Sequence, residues 1–262
     1  MSSGPRFADL VDAHAHLADP AFDQDRAAVL ERASAVGVRR IVTVGETPED
    51  AQRILQLAAH HREIAPAIGL YPTHLEREKL DQILALIRKH QHRLIGVGEI
   101  GLDRWVVDDE RARAVQREMF LEQVRLAIEL DLPVNVHSRS AGRYAVAALV
   151  EAGARRVLLH AFDGRASAAE PALQAGYFFS VPPSIVRSRQ KQKLVRALPL
   201  DRLLLETDSP VLGADPRQRN EPSQLVVALD AIAEIKRLPR DTVARATTEN
   251  AVRLFGERVL IR

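Results

Sequence analysis

Eight short apolar runs alternate along this chain with eight segments of helical character, and that alternation limits the fold more than any other feature of the sequence. The runs fall at residues 8–14, 39–44, 64–70, 94–99, 132–137, 156–160, 177–181 and 202–208. They are nearly continuous rather than alternating in apolarity, which marks strands covered on both faces, the habit of a parallel sheet. Between them, apolar residues recur at helical spacing over 23–36, from Pro48 through Ala58, and over 76–90, 142–152, 167–175, 184–198 and 222–235. Thr47 ahead of Pro48 reads as a helix cap with proline in the first turn. Asp108 or Asp109 caps a longer amphipathic helix that runs to Ile128. Residues 241–255 read as one or two further short helices.

The seven steps from His14 to Asp208 average about 28 residues, close to one βαβ unit. Eight such units close most simply into an α/β fold of the (β/α)8 TIM barrel type, which needs about 250 residues. The chain has 262 residues, 46% of them hydrophobic, enough for such a core. No Gly-x-Gly-x-x-Gly follows the first run, which argues against an open, doubly wound sheet. The sequence has no linker or low-complexity tract, so residues 1–262 are expected to form one barrel with an extra C-terminal helix.

Composition narrows the chemistry. Cysteine is absent, which excludes disulfides, thiolate metal sites and a cysteine nucleophile. Any metal must sit on nitrogen and oxygen. With 37 Lys+Arg against 35 Asp+Glu, attraction to a polyanion has to come from local clustering. No apolar run approaches the ~18 residues of a membrane span, and Met1-Ser2-Ser3-Gly4-Pro5 lacks the pattern of a signal peptide. The expectation is a cytoplasmic monomer without a membrane association.

In a barrel the C-terminal ends of the strands converge on one mouth, where the chemistry sits. The first strand runs into His14 and His16, whose side chains at i and i+2 point the same way. The fourth ends at Glu99, the fifth at His137, the sixth at His160 and the eighth at Asp208. Each alone is also an ordinary strand-end residue. Together they are six nitrogen or oxygen donors, and buried carboxylates beside imidazoles are costly without a cation. Six donors exceed the four of a tetrahedral zinc, so a pair of divalent ions with Glu99 between them is expected. His60, His61, His90 and His92 fall at expected helix C-termini, where a partial positive charge is favourable without any metal.

The segments Asp12-Ala13-His14-Ala15-His16-Leu17, Gly98-Glu99-Ile100-Gly101-Leu102-Asp103, Pro133-Val134-Asn135-Val136-His137-Ser138-Arg139, His160-Ala161-Phe162-Asp163-Gly164, Glu206-Thr207-Asp208-Ser209-Pro210 and Asn220-Glu221-Pro222 carry a further signal. In this order they resemble the TatD-type metal-dependent deoxyribonucleases, within the amidohydrolase-like barrels. The wording around Val136 to Arg143 and Gly176 to Ser180 is similar to the subgroup called TatD DNase domain-containing protein 3. The resemblance implies that His14, His16 and Asp208 hold one metal, that His137 and His160 hold the second, and that Glu99 bridges them. It implies catalytic roles for Asp208, which orients or deprotonates the attacking water, and for Glu99. The implied ions are Mg2+, Mn2+ or Zn2+, and the implied substrate is DNA, often trimmed from its 3′ end. One position departs from the pattern: Tyr71 stands in Gly69-Leu70-Tyr71-Pro72 where the family commonly has histidine.

For an anionic substrate, Ser138, Arg139, Arg165, Tyr71 and His74 are the candidate contacts, with Arg143, Arg217, Arg219 and Asn220 nearby in strand-end loops. Trp105, beside Arg104, is a candidate to stack an unpaired base, or else local packing. Two other readings use the same residues: hydrolysis of a carboxylic ester, lactone or amide, such as an aminoacyl ester on tRNA, and a non-catalytic metal-binding scaffold.

Overall fold

The computed structural model describes residues 9–260, so Ala8, at the expected start of the first strand, and the segment from Met1 to Pro5 lie outside the described residues. Eight strands, β1 (Leu10–Ala15), β2 (Val38–Val44), β3 (Ile64–Ile68), β4 (Gly96–Gly101), β5 (Val134–His137), β6 (Val157–Leu159), β7 (Phe178–Val181) and β8 (Leu203–Leu205), pair in parallel and in chain order. Each neighbour follows the last around one sheet. The sheet closes at the C-terminal ends of its strands: Asp208 N–H donates to the His14 carbonyl at 2.9 Å and His16 N–H to the Ser209 carbonyl at 2.8 Å. Helices α1 (Arg26–Ala35), α2 (Pro48–His60), α3 (Arg77–His90), α4 (Glu110–Glu129), α5 (Gly142–Glu151), α6 (Ala166–Gln174), α7 (Arg189–Ala197) and α8 (Leu225–Lys236) clothe it, and α9 (Arg240–Phe255) comes last. This is the expected (β/α)8 TIM barrel.

Two apolar layers account for its stability. Outward-facing strand residues such as Ile41, Ile68, Val97 and Leu205 pack against the helices. The inner layer is smaller: Val11, Ala13, Val42, Val44, Ala65 and Ala67 fill the barrel with Leu158, Phe178 and Leu204. Ala251, Leu254 and Phe255 of α9 join that inner layer, so the C-terminal helix stoppers the end opposite the mouth. The Asn250 amide fixes it there by donating to the carbonyls of Leu200 and Leu203.

Local chemistry explains the boundaries. Thr47 Oγ1 accepts from Asp50 N–H and caps α2, and Asp109 caps α4 through Ala112 N–H. The expected helix over 184–198 is divided instead: a 3-10 turn at Pro183–Arg187 is followed by α7, whose cap is Ser188. Ser188 has extended backbone angles, and its hydroxyl accepts from Lys191 N–H, so it starts a helix where the apolar spacing reads as an interior. The same happens at the eighth helix, where Pro222–Gln224 is a 3-10 turn before α8. The eighth strand ends at Leu205 rather than 208, and 241–255 lies in one 16-residue helix.

Candidate metal centre

Several donors at the mouth are placed by departures from regular strand geometry. In β1 the pairing register shifts between Asp12 and Ala15. Interior positions Val11 and Ala13 thereby give way to His14 and His16, and the strand delivers two imidazoles inward. In β4 the register shifts between Val97 and Ile100, around Glu99. A Cβ on Gly98 would come within 2.7 Å of Asn135 Cβ, so glycine there lets β4 and β5 approach closely and brings Glu99 against His137. Ala161 and Asp208 both have positive φ, 42° and 53°, a conformation that non-glycine residues adopt at a cost of about 1 to 3 kcal/mol and that concentrates at working sites.

The six residues converge. His14 Nε2 and His16 Nε2 lie 3.2 Å apart, each within 3.3 Å of Asp208 Oδ1. Glu99 Oε2 stands 3.6 and 3.5 Å from the same two nitrogens. Its other oxygen, Oε1, is 2.8 Å from His137 Nδ1 and 2.9 Å from His160 Nε2. Donors about 2.0 to 2.2 Å from a tetrahedral ion are separated from one another by about 3.3 to 3.6 Å. The His14, His16, Asp208 and Glu99 distances match that spacing, and Glu99 Oε2 is buried without a hydrogen-bond partner. The donor set therefore fits a divalent cation on its own geometry.

A second layer orients these rings. The Asn135 amide oxygen faces His14 Nδ1 at 2.9 Å, while its NH2 donates to the Ala13 carbonyl. Asp103 Oδ2 faces His137 Nε2 at 3.0 Å. Glu46 lies 3.6 Å from His16 Nδ1 and Glu206 lies 3.6 Å from His160 Nδ1. Every ring thus turns one nitrogen inward and the other toward a carboxylate or amide oxygen; at His14 and His137 that outer contact is a hydrogen bond, the arrangement that fixes the tautomer of a ligating histidine, whereas His160 Nδ1 is buried without a hydrogen-bond partner. Asp12, within β1, accepts from the Thr207 hydroxyl and N–H, and burial pushes its carboxyl up to about 8.

Burial pushes the His16 imidazole down, but its hydrogen bond with Asp208 and the charges of Glu99, Asp208 and Glu46 outweigh burial and raise it to about 9. For Glu99, burial opposes ionisation, yet His160, His14 and the hydrogen bonds from His137 and His160 hold it well below the usual carboxylate range. Protons and cations compete for the same lone pairs.

The mouth is a cavity of about 450 Å3 lined by His16, Glu46, Tyr71, Glu99, Ser138, Arg139 and Asp208, among others. Ser138 Oγ is buried in its wall without a partner. The Tyr71 hydroxyl lies 3.4 Å from His137 Nε2. His74 and Arg165 are not among the lining residues: His74 sits behind Tyr71 against Lys79 and Glu76, and Arg165 is exposed at the start of α6. Arg217 pairs with Asp215, Arg219 with Asp25, and the Asn220 amide braces the loop after β8 through the carbonyls of Thr207 and Val211.

Sequence reasoning missed Glu46, Asp103, Asn135, Glu206 and Lys191. Glu46 lies two residues beyond the end of β2, so the strand-end rule applied to every strand would have found it. Lys191 lines the mouth from the first turn of α7 and donates to the Ala161 carbonyl at 2.9 Å, a placement that no strand-end pattern signals.

Four inward imidazoles and two carboxylates at the mouth of a (β/α)8 barrel define a metal-dependent hydrolase of the TIM-barrel type. The model of one sequence family, TatD related DNase, matches residues 11–256. This chain belongs to that family. It is 44% identical to the human protein named Deoxyribonuclease TATDN3, over 94% of both chains. It is 35% identical to the Bacillus subtilis uncharacterized metal-dependent hydrolase YabD, over 94% of this chain and 98% of that one. The crystal structure of Escherichia coli YjjV, a TatD homolog, superposes with a TM-score of 0.88 at 32% identity, over 95% of this chain and 98% of that one. An uncharacterized amidohydrolase from Saccharomyces cerevisiae, at 18% identity and a TM-score of 0.85, shares the fold. No helix among the described residues is long and apolar enough to cross a membrane.

Proposed function

We propose that this protein hydrolyses phosphodiester bonds in DNA at a centre of two divalent ions, Mg2+, Mn2+ or Zn2+, acting as a cytoplasmic monomer. The divided carboxylate of Glu99 carries the reading. One of its oxygens faces His137 and His160, and the other faces His14 and His16 beside Asp208. His14, His16 and Asp208 would hold one ion, His137 and His160 the other, with Glu99 between them. Such a pair, when bound, polarises water and neutralises charge on the phosphoryl oxygens.

The chain's own residues do the rest. Asp208 lines the cavity and orients the attacking water, taking up its proton as the new P–O bond forms and the P–O bond to the leaving nucleoside oxygen breaks, that oxygen being protonated from solvent. Ser138 Oγ, unpartnered in the wall, donates to a non-bridging phosphoryl oxygen, and Arg139 presents a guanidinium fork to the same group. Tyr71 contributes a phenolic donor where relatives of the resembling pattern carry histidine; burial holds its hydroxyl protonated. The test pairs measured bound metal with cleavage of 3′- and 5′-labelled single- and double-stranded DNA and of an aminoacyl ester. Metal-dependent loss of DNA label supports the reading. Turnover of the aminoacyl ester alone would replace it with the carboxylic ester reading, and no turnover by fully loaded protein would leave a metal-binding scaffold.

A further inference from the structure

Beside the mouth, on the β4 and β5 side, a strip of arginines and aromatic rings leads away from the metal centre. The indole of Trp105, the single tryptophan of the chain, is 68% exposed, and the Arg139 guanidinium lies 5.1 Å from its ring centre. Arg139 also lines the mouth. Next along, the Arg104 N–H donates to the Arg139 carbonyl, and the Arg104 guanidinium stacks 3.2 Å from the centre of the Tyr144 ring. Arg143 approaches the same ring at 4.5 Å. Beyond Tyr144 a second cleft of about 340 Å3 opens between α4 and α5, lined by Arg104, Arg113 and Arg117 with Glu110 and Glu151.

The exposure of Trp105 is not looseness. Asp103 Oδ1 accepts from the N–H groups of both Trp105 and Val106 at 2.8 Å, and its other oxygen faces His137. One buried carboxylate therefore fixes the backbone that carries the indole in register with the metal centre. Indole and guanidinium faces both stack on unpaired bases, whatever their sequence, and arginines track phosphates. The β2 side of the mouth offers Glu46 instead, which repels a polyanion.

We infer that Trp105, Arg139, Arg104 and Tyr144 form a stacking track for the nucleotides adjoining the scissile phosphate, so that affinity rises with the number of unpaired nucleotides laid along it. The inference rests on the nucleic-acid reading of the mouth. Because Trp105 is the sole tryptophan, its emission reports the contact without turnover. The experiment titrates metal-loaded full-length protein with phosphorothioate oligothymidylates that resist hydrolysis: a mononucleotide, a tetranucleotide and a dodecanucleotide, with a blunt duplex dodecamer alongside. The expected result is quenching that tightens with length and is weakest for the duplex.

In kinetics with cleavable oligonucleotides, Trp105→Ala is expected to lose the fall in KM with length, raising KM for the dodecanucleotide by about 5- to 140-fold, and Trp105→Phe to restore most of it. Cleavage without length-dependent quenching overturns the track. Equal quenching by the duplex also overturns it. Emission that changes with protein concentration before any oligonucleotide is added would assign Trp105 to contact between copies of the chain and overturn it too. Length-dependent quenching without cleavage would sustain the track and refute the nuclease reading, so the two failures are distinguishable.

Discussion

Asp103→Asn tests the logic of the metal centre without changing its shape. In the native site, Asp103 Oδ1 accepts two backbone N–H groups while Oδ2 faces His137 Nε2 at 3.0 Å. The backbone donors dictate how an asparagine must sit: its oxygen has to remain on their side, because turning NH2 toward them would set donors against donors. The NH2 then faces His137 Nε2, which must become an acceptor. His137 Nδ1 consequently carries the proton and points it at Glu99 Oε1, 2.8 Å away, where a ligating nitrogen needs its lone pair. A hydrogen bond to a charged group contributes about 1.5 to 3 kcal/mol, and the loss of an orienting partner costs about 10- to 100-fold in metal affinity. The His137 and His160 site is expected to weaken by that factor, with the His14, His16 and Asp208 site changed little. Competition against a fluorescent chelator resolves the two affinities. If Asp103→Asn bound both ions as the wild type does, the tautomer argument would be refuted, and with it the ligand role of His137 Nδ1.

Other outcomes follow from the same geometry. Glu99→Ala is expected to retain at most one ion per chain by elemental analysis; two retained ions would contradict the bridging role. Asp208→Asn should stay folded and bind metal while turnover falls by about 100-fold or more, as loss of a general base does; a variant with most of its activity would remove Asp208 from the chemistry. At acid pH, the rim network contributes to stability alongside the buried carboxylates of the mouth. Asp25, hydrogen-bonded by Arg219 and Arg32, has its pKa lowered from 3.8 to about 2, and Glu221 is lowered by its hydrogen bond with Arg32. Carboxylates depressed in the folded state lend stability that is complete above their unfolded values and is lost as pH falls through their folded values. The urea midpoint should therefore drop between about pH 4 and pH 2, and less steeply in Glu221→Gln; parallel curves would exclude the network as the cause.

The barrel itself was legible in the sequence because it depends on local patterning: continuous apolar runs for strands buried on both faces, helical spacing between them, and caps such as Thr47 and Asp109. The positions of His14, His16, Glu99, His137, His160 and Asp208 were legible for a topological reason. In a parallel barrel every strand ends at the same mouth, so strand-end identity is already a statement about proximity. The same rule had no purchase on Ser188, whose hydroxyl starts α7 inside an uninterrupted apolar spacing, or on Lys191, which reaches the mouth from a helix rather than a strand end.

Only the tertiary structure decided which atoms face one another. That the two oxygens of Glu99 divide between two pairs of histidines depends on register shifts in β1 and β4 and on the close approach that Gly98 permits, none of which has a periodic signature. The second layer of Asn135, Asp103, Glu46 and Glu206 is likewise a matter of contact across strands far apart in the chain. Trp105 shows the same division. Its identity and its place after β4 are written in the sequence, but its exposure, its stacking with Arg139 and its tie to His137 through Asp103 arise only when the strand ends meet.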